Sequence, residues 1–194
     1  MRTNNFFSIA ALVICGLVCF SNVKASTPAG GTSIATSDPV TVNIKFKPIQ
    51  SIVVNSGQKT VDLEYNTKDD YASGVSEKMK DHLEVFSTGG FIVSVASNGD
   101  FMGSDNAETS KIDAAEVTIV AKNGSETNNG QFEQVALSTA PTQLISSNTG
   151  GTKLNYSITY NNQAGANNKY INKYMHNDVE TVYTAEVTYT IATK

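Results

Sequence analysis

Beyond residue 25 this sequence has no cysteine, because both of its cysteines, Cys15 and Cys19, lie near the N-terminus. Disulfide staples and thiolate metal centres are therefore excluded for the rest of the chain, and a fold there must hold by its core alone. Histidine is nearly absent too, with only His82 and His176. Two distant histidines and no thiol leave a transition-metal site without ligands. They also give little support to nucleophilic catalysis, leaving a hydrolase built on His176 as the least favoured alternative. Asp81 and His82 are neighbours that a strand would point to opposite faces, and His82 reads as a solvated strand-edge residue. His176 stands beside Asn177 and Asp178, which look like turn chemistry, and no strained nucleophile elbow occurs. Asn98, Asp100, Asp105, Asn106 and Glu108 offer oxygen ligands on one stretch, but their spacing is not that of a calcium loop. No catalytic, cofactor-binding or metal-binding residue is expected, and the chain reads as non-enzymatic.

Positive charge is scarce as well, with 14 Lys and Arg against 18 Asp and Glu. Without Arg2 and Lys24 the 14 become 12, a net charge of −6. No basic stripe is present, so nucleic acid and anionic membrane surfaces are poor partners. The one long apolar run, Phe6 to Phe20, falls short of the roughly 20 residues a membrane span needs. With Arg2 before it and Val23-Lys24-Ala25 after it, it reads as a signal peptide over 1–25, cleaved after Ala25. Two alternatives stand beside that reading: an uncleaved anchor, and lipidation at Cys19, which follows Gly16-Leu17-Val18. A leader implies a secreted protein, in the periplasm or at the cell surface if the source is bacterial. No membrane span is expected after cleavage.

What the sequence has in quantity is alternation. At the C-terminus Tyr183, Ala185, Val187, Tyr189 and Ile191 alternate with Thr184, Glu186, Thr188 and Thr190. A period of two with β-branched and aromatic residues predicts a strand over 181–193 with one buried face. Val40, Val42, Ile44 and Phe46 repeat the pattern in PVTVNIKF, and a further short strand is expected over 49–54 after Pro48. Val61, Leu63 and Tyr65 alternate in TVDLEY. Leu83 and Val85, then Phe91, Val93 and Val95, suggest two strands joined by Ser87 to Gly90 as a hairpin. More strands are expected around Val117 and Ile119, around Phe132 to Leu137 with an irregularity, briefly at Leu144 and Ile145, and at Leu154 to Tyr160.

Between these, residues 68–80 break the period. Tyr71, Val75 and Met79 sit four apart, predicting a short surface helix weakened by Gly74. Residues 26–38, with Ile34 the lone large apolar side chain, read as a flexible N-terminal arm. The organisation expected is thus a leader, an arm and a single domain over 39–194. That domain is an all-β antiparallel Ig-like sandwich of about 8–10 short strands. Its core is expected to draw on Val42, Ile44, Leu63, Val85, Phe91, Val93, Val117, Ile119, Leu154, Ile158, Val187 and Ile191. Six of the eight tyrosines fall late, at 156, 160, 170, 174, 183 and 189. They read as half-buried core rather than as a binding face for glycan or protein.

An open sandwich has edge strands, which aggregate unless blunted or given a partner. Alternating strands at both ends of the domain suit a molecule that joins others by β-augmentation. The candidate pairing residues are Val40, Val42, Ile44 and Phe46 at one end and Tyr183, Val187, Tyr189 and Ile191 at the other. In this layout, carried by PVTVNIKF (39–46) and VYTAEVTYTIATK (182–194), the chain resembles the secreted pilin subunits of the chaperone–usher type. Having no disulfide, it is similar to their cysteine-free branch. The resemblance implies an incomplete Ig-like sandwich, completed first by a chaperone and then by a strand from the next subunit. It implies a fimbrial, adhesive role. The arm 26–38 is poor in the apolar residues a donated strand needs, which leaves 40–46 as the candidate donor. The alternative is a stand-alone secreted sandwich that binds glycan or protein through loops and tyrosines.

Overall fold

The computed structural model describes residues 36–103, 111–128, 130–174 and 180–194. Two compact units are distinguished, Met1–Asn43 and Ile44–Lys194. Of the first, the described residues 36–43 are exposed and form neither helix nor strand. The leader, nearly all of the arm, Asp105, Asn106, Glu108 and His176 lie outside the described residues. No helix among those described is long and apolar enough to cross a membrane.

The second unit is an antiparallel β-sandwich, the class that the alternation predicts. In chain order its strands are β1 (Gln50–Val54), β2 (Val75–Ser87), β3 (Phe91–Ser97), β4 (Phe101–Met102), β5 (Lys111–Ile112), β6 (Thr118–Asn123), β7 (Gln131–Phe132), β8 (Gln134–Ala136), β9 (Thr142–Ser147), β10 (Gly151–Asn162) and β11 (Val187–Thr193). One sheet has the order β1-β2-β10-β6-β8 and the other β11-β3-β9-β7, while β4 and β5 pair separately. Between the sheets Val85, Phe91, Val93, Val117, Ile119, Leu154 and Ile158 are buried as expected, joined by Leu83, Val95, Leu137, Leu144, Ile145 and Tyr156. At ~1.5–3 kcal/mol per large apolar side chain removed from water, this cluster replaces the missing disulfides.

The helix expected over 68–80 is only α1 (Lys68–Ser73). Thr67 opens it with a capping box, its hydroxyl accepting from the Asp70 N–H while Asp70 accepts from the Thr67 N–H. Gly74 closes it at φ 75°, where a side chain would be strained, and a Cβ there would stand 2.6 Å from the Gln163 Cα. Val75 and Met79, read as helical, belong to the 13-residue strand β2. Tyr71, Val75 and Met79 fit a period of four only because two elements meet at that glycine.

The hairpin expected from Ser87 to Gly90 does not form. β2 pairs with β1 and β10, and β3 pairs with β11 and β9. The connection therefore crosses from one sheet to the other. Sequence adjacency favours a hairpin, but both edges of β2 near its end are already occupied, by β1 at 83–87 and by β10.

His82, expected in solvent, is 2% exposed. The cause is a bulge. Opposite β10, the register passes from Tyr156↔Leu83 to Ile158↔Met79, so β2 spends four residues where β10 spends two. Asp81 sits in this bulge at φ 50°, donating its N–H to Ser157 Oγ at 3.1 Å and accepting the Ser125 N–H at 2.7 Å. The kink turns both His82 and Leu83 inward, which strict alternation forbids.

Two segments with strand alternation form no ladder. Residues 40–46 form no strand, and Val42 and Ile44 are 81% and 79% exposed rather than in the core. Residues 60–65 also form no strand, although Val61, Leu63 and Tyr65 face inward and Asp62 and Glu64 outward. Alternation encodes a strand with two unlike faces. It does not encode a neighbour to pair with.

Candidate assembly site

β11 is where the tail's alternation becomes structure. It pairs with β3 in an unbroken antiparallel register from Val187↔Ser97 to Thr193↔Phe91. Before it, residues 181–186 form no strand but are tied down. Thr184 and Met102 exchange two backbone hydrogen bonds at 2.9 and 3.0 Å, and the Glu186 N–H donates to Asn98 Oδ1 at 2.9 Å. The expected strand over 181–193 is thus shortened at its start, because a bridge to β4 replaces the ladder there.

β11 lies at the end of its sheet, and among the described residues its second edge pairs with no strand. β1 ends the other sheet and packs beside it. Among the apolar residues only partly buried against the core are Ile52, Val54, Val61, Leu63 and Met79 on the first side and Val187, Tyr189 and Ile191 on β11, with Phe101 and Phe132 in the same condition elsewhere. By contrast Phe91, Val93, Ile119 and Ile145 are sealed completely. This run of half-covered apolar side chains along the β1 and β11 side of the sandwich forms a seam.

The segment 60–65 runs beside β2 with its own unmet hydrogen-bonding groups. Its backbone makes no backbone–backbone hydrogen bond among the described residues. It stands off from β2, leaving a groove of about 810 Å³ lined by Val61, Asp62, Leu63, Glu64, Glu77 and Met79 among others. Extended peptide groups left without partners rely on water, or on a strand from elsewhere.

Two polar networks hold this region. In the first, the His82 ring contacts Gln58 Oε1 through Nδ1 at 3.0 Å and the Tyr160 hydroxyl through Nε2 at 2.9 Å. Tyr160 and Tyr189 share a hydrogen bond at 2.8 Å. Gln58 Oε1 can only accept, so Nδ1 carries the proton and Nε2 accepts from Tyr160, which then accepts from Tyr189. The chain runs across both sheets into β11. Burial, with Lys59 nearby, holds the His82 ring below its ordinary pKa. Burial also pushes the hydroxyls of Tyr160 and Tyr189 upward.

In the second, the Tyr65 hydroxyl donates to Asn162 Oδ1. Asn162 Nδ2 donates to the Glu116 carbonyl at 2.9 Å and to the Tyr170 hydroxyl at 3.1 Å. Tyr170 donates to the Glu116 carboxylate, which also meets Lys169 at 2.8 Å. Burial, with Glu116 beside it, pushes Tyr65 up to about 12. This network anchors the C-terminal end of 60–65 to β10.

The residues expected to pair across molecules thus fall into two groups. Val187, Tyr189 and Ile191 line the seam, with Tyr183 half-buried just upstream. Val40, Val42, Ile44 and Phe46 are 85%, 81%, 79% and 92% exposed, and no residue from 40 to 46 makes a backbone–backbone hydrogen bond among the described residues. Sequence reasoning missed the two networks, since neither His82–Tyr160–Tyr189 nor Tyr65–Asn162–Tyr170 has a local spacing signal. Tyr156, Tyr160 and Tyr170 are buried, matching the core reading, while Tyr174 is exposed. Among the described residues no group of three or more His, Cys, Asp or Glu could hold a metal ion. No protein-family model matches the chain, and no curated protein matches it.

Proposed function

We propose that this protein is a non-enzymatic structural or adhesive subunit, exported through its leader, that assembles with further copies or with a partner subunit or chaperone by β-strand donation. In this reading residues 40–46 are the donated strand. The seam bounded by β11 and by 60–65 is the acceptor, as in the chaperone–usher pilins that the layout resembles. One observation carries the reading. An alternating segment with its apolar face in water coexists with a sandwich corner whose apolar face is half in water. Each supplies what the other lacks, in apolar area and in backbone hydrogen bonds.

The energetic case is direct. Four large apolar side chains, Val40, Val42, Ile44 and Phe46, are exposed within seven residues, and larger apolar patches on a surface mark interaction sites. Burying Val40, Val42, Ile44 and Phe46 recovers about 1.5–3 kcal/mol each before the ordering cost of the segment is subtracted. The stand-alone binding module draws less support, because the tyrosines that would make its binding face are mostly in the core.

Size-exclusion chromatography and electron microscopy of the mature protein, with and without residues 26–46, test the proposal. Oligomers or fibres that resist mild denaturant and vanish on truncation are expected. A monomer that is unchanged by truncation rejects it.

A further inference from the structure

The apolar faces explain why a strand would bind, but not which strand. Any alternating apolar segment could fill a seam, and the secreted chain carries a net charge of −6, so its copies repel one another in general. The polar faces of donor and acceptor carry the discrimination. On the donor, the residues alternating with Val42, Ile44 and Phe46 are Thr41, Asn43, Lys45 and Lys47, and residues 39–47 contain no acid. On the acceptor, the outward residues of 60–65 are Asp62 and Glu64, both exposed. The adjoining groove adds Asp70 and Glu77, and neither Lys nor Arg lines it. Asp70 is engaged in the α1 cap, whereas Asp62, Glu64 and Glu77 enter no ion pair among the described residues. Among the described residues neither Lys45 nor Lys47 enters one.

We infer that Lys45 and Lys47 of one copy pair with Asp62 and Glu64 of the next, and that this match selects a second copy of this chain as the occupant of the seam. The inference rests on the strand-donation reading and adds its specificity determinant. In a sheet, side chains on one face of neighbouring strands lie about 4.5–5.5 Å apart, so opposite charges attract there and like charges repel. A strand whose outward positions were acidic would meet Asp62 and Glu64 with unfavourable contacts. A basic one is drawn in, and charges at the rim of an interface act mainly on the rate of encounter and on its salt dependence. The occupant is thus a lysine-bearing segment, and residues 40–47 of this chain are one.

The test uses full-length mature chains, with assembly followed by light scattering after dilution from denaturant at low and high salt. Lys45→Glu/Lys47→Glu should slow assembly about tenfold at low salt and little at high salt. Asp62→Lys/Glu64→Lys should do the same. Mixing the two variants, or combining them in one chain, should restore the rate. These positions are exposed, so circular dichroism and melting temperature should stay as in the parent. A rate indifferent to either reversal, or slow reversals that do not rescue each other, overturns charge selection. Val42→Asp/Ile44→Asp separates the two levels. If it abolishes assembly while the charge variants assemble normally, donation stands and selection falls. If it too leaves assembly unchanged, donation itself falls. Assembly kinetics independent of protein concentration would mean a chain closing on its own segment, and would overturn the second copy as occupant.

Discussion

His82 is the residue where local sequence and final environment disagree most. It follows Asp81 in a stretch that alternates, yet the left-handed turn at Asp81 brings it inside and onto Tyr160. Its pKa in the fold is lowered by burial, so the unfolded chain holds a proton below pH ~6.5 that the folded chain refuses. The corresponding stability is present above ~6.5 and is lost as pH falls through the folded value. Melting temperatures taken between pH 7.5 and 5.5 should therefore drop on the acid side, and His82→Gln should flatten that slope. A parent chain with equal melting temperatures across this range would contradict the assignment. The second network has its own weak point at Gly165. A Cβ there would meet the Tyr170 ring at 2.4 Å and also the Tyr65 hydroxyl. Gly165→Ala should cost about 1–3 kcal/mol in urea unfolding by forcing the rings apart.

At the scale of elements, β11 and β9 differ in how complete their surroundings are. Ile145 on β9 is sealed, whereas Ile191 on β11 is half-buried at the seam. Ile145→Ala should cost about 2–5 kcal/mol in the isolated subunit. Ile191→Ala should cost clearly less there and, on the strand-donation proposal, more in assembled material. Unfolding midpoints of dissociated and assembled material check both. A cost at Ile191 equal to that at Ile145 in the dissociated protein would mean that the seam is already closed. The short helix makes a similar point. α1 exists because Thr67 and Asp70 cap it, and it stops at six residues because Gly74 lets the chain turn into β2.

For the whole molecule, the expectation concerns where stability and assembly part company. Phe46 is 92% exposed, so Phe46→Ala should leave the melting temperature of the dissociated subunit within about 1 °C while weakening assembly. Analytical ultracentrifugation alongside calorimetry reads both quantities. A large loss of subunit stability would show that Phe46 belongs to the core of its own chain.

Period-two alternation determined the all-β class, most of the strands and seven of the buried core residues, because which face of a strand is apolar is written locally. The absence of cysteine beyond residue 19 likewise set aside disulfide and thiolate chemistry within the sandwich from composition alone. Tertiary structure decided what local patterns cannot contain. It split the expected 87–90 hairpin between two sheets, since edge occupancy depends on β1 and β10, each distant in sequence. It turned His82 inward through a bulge whose register is set against Tyr156 and Ile158. It also left 60–65 and 40–46 without ladders. An amino-acid pattern specifies the two faces of a strand, whereas its hydrogen-bonding edges are satisfied only by whatever backbone the rest of the fold, or another molecule, brings alongside.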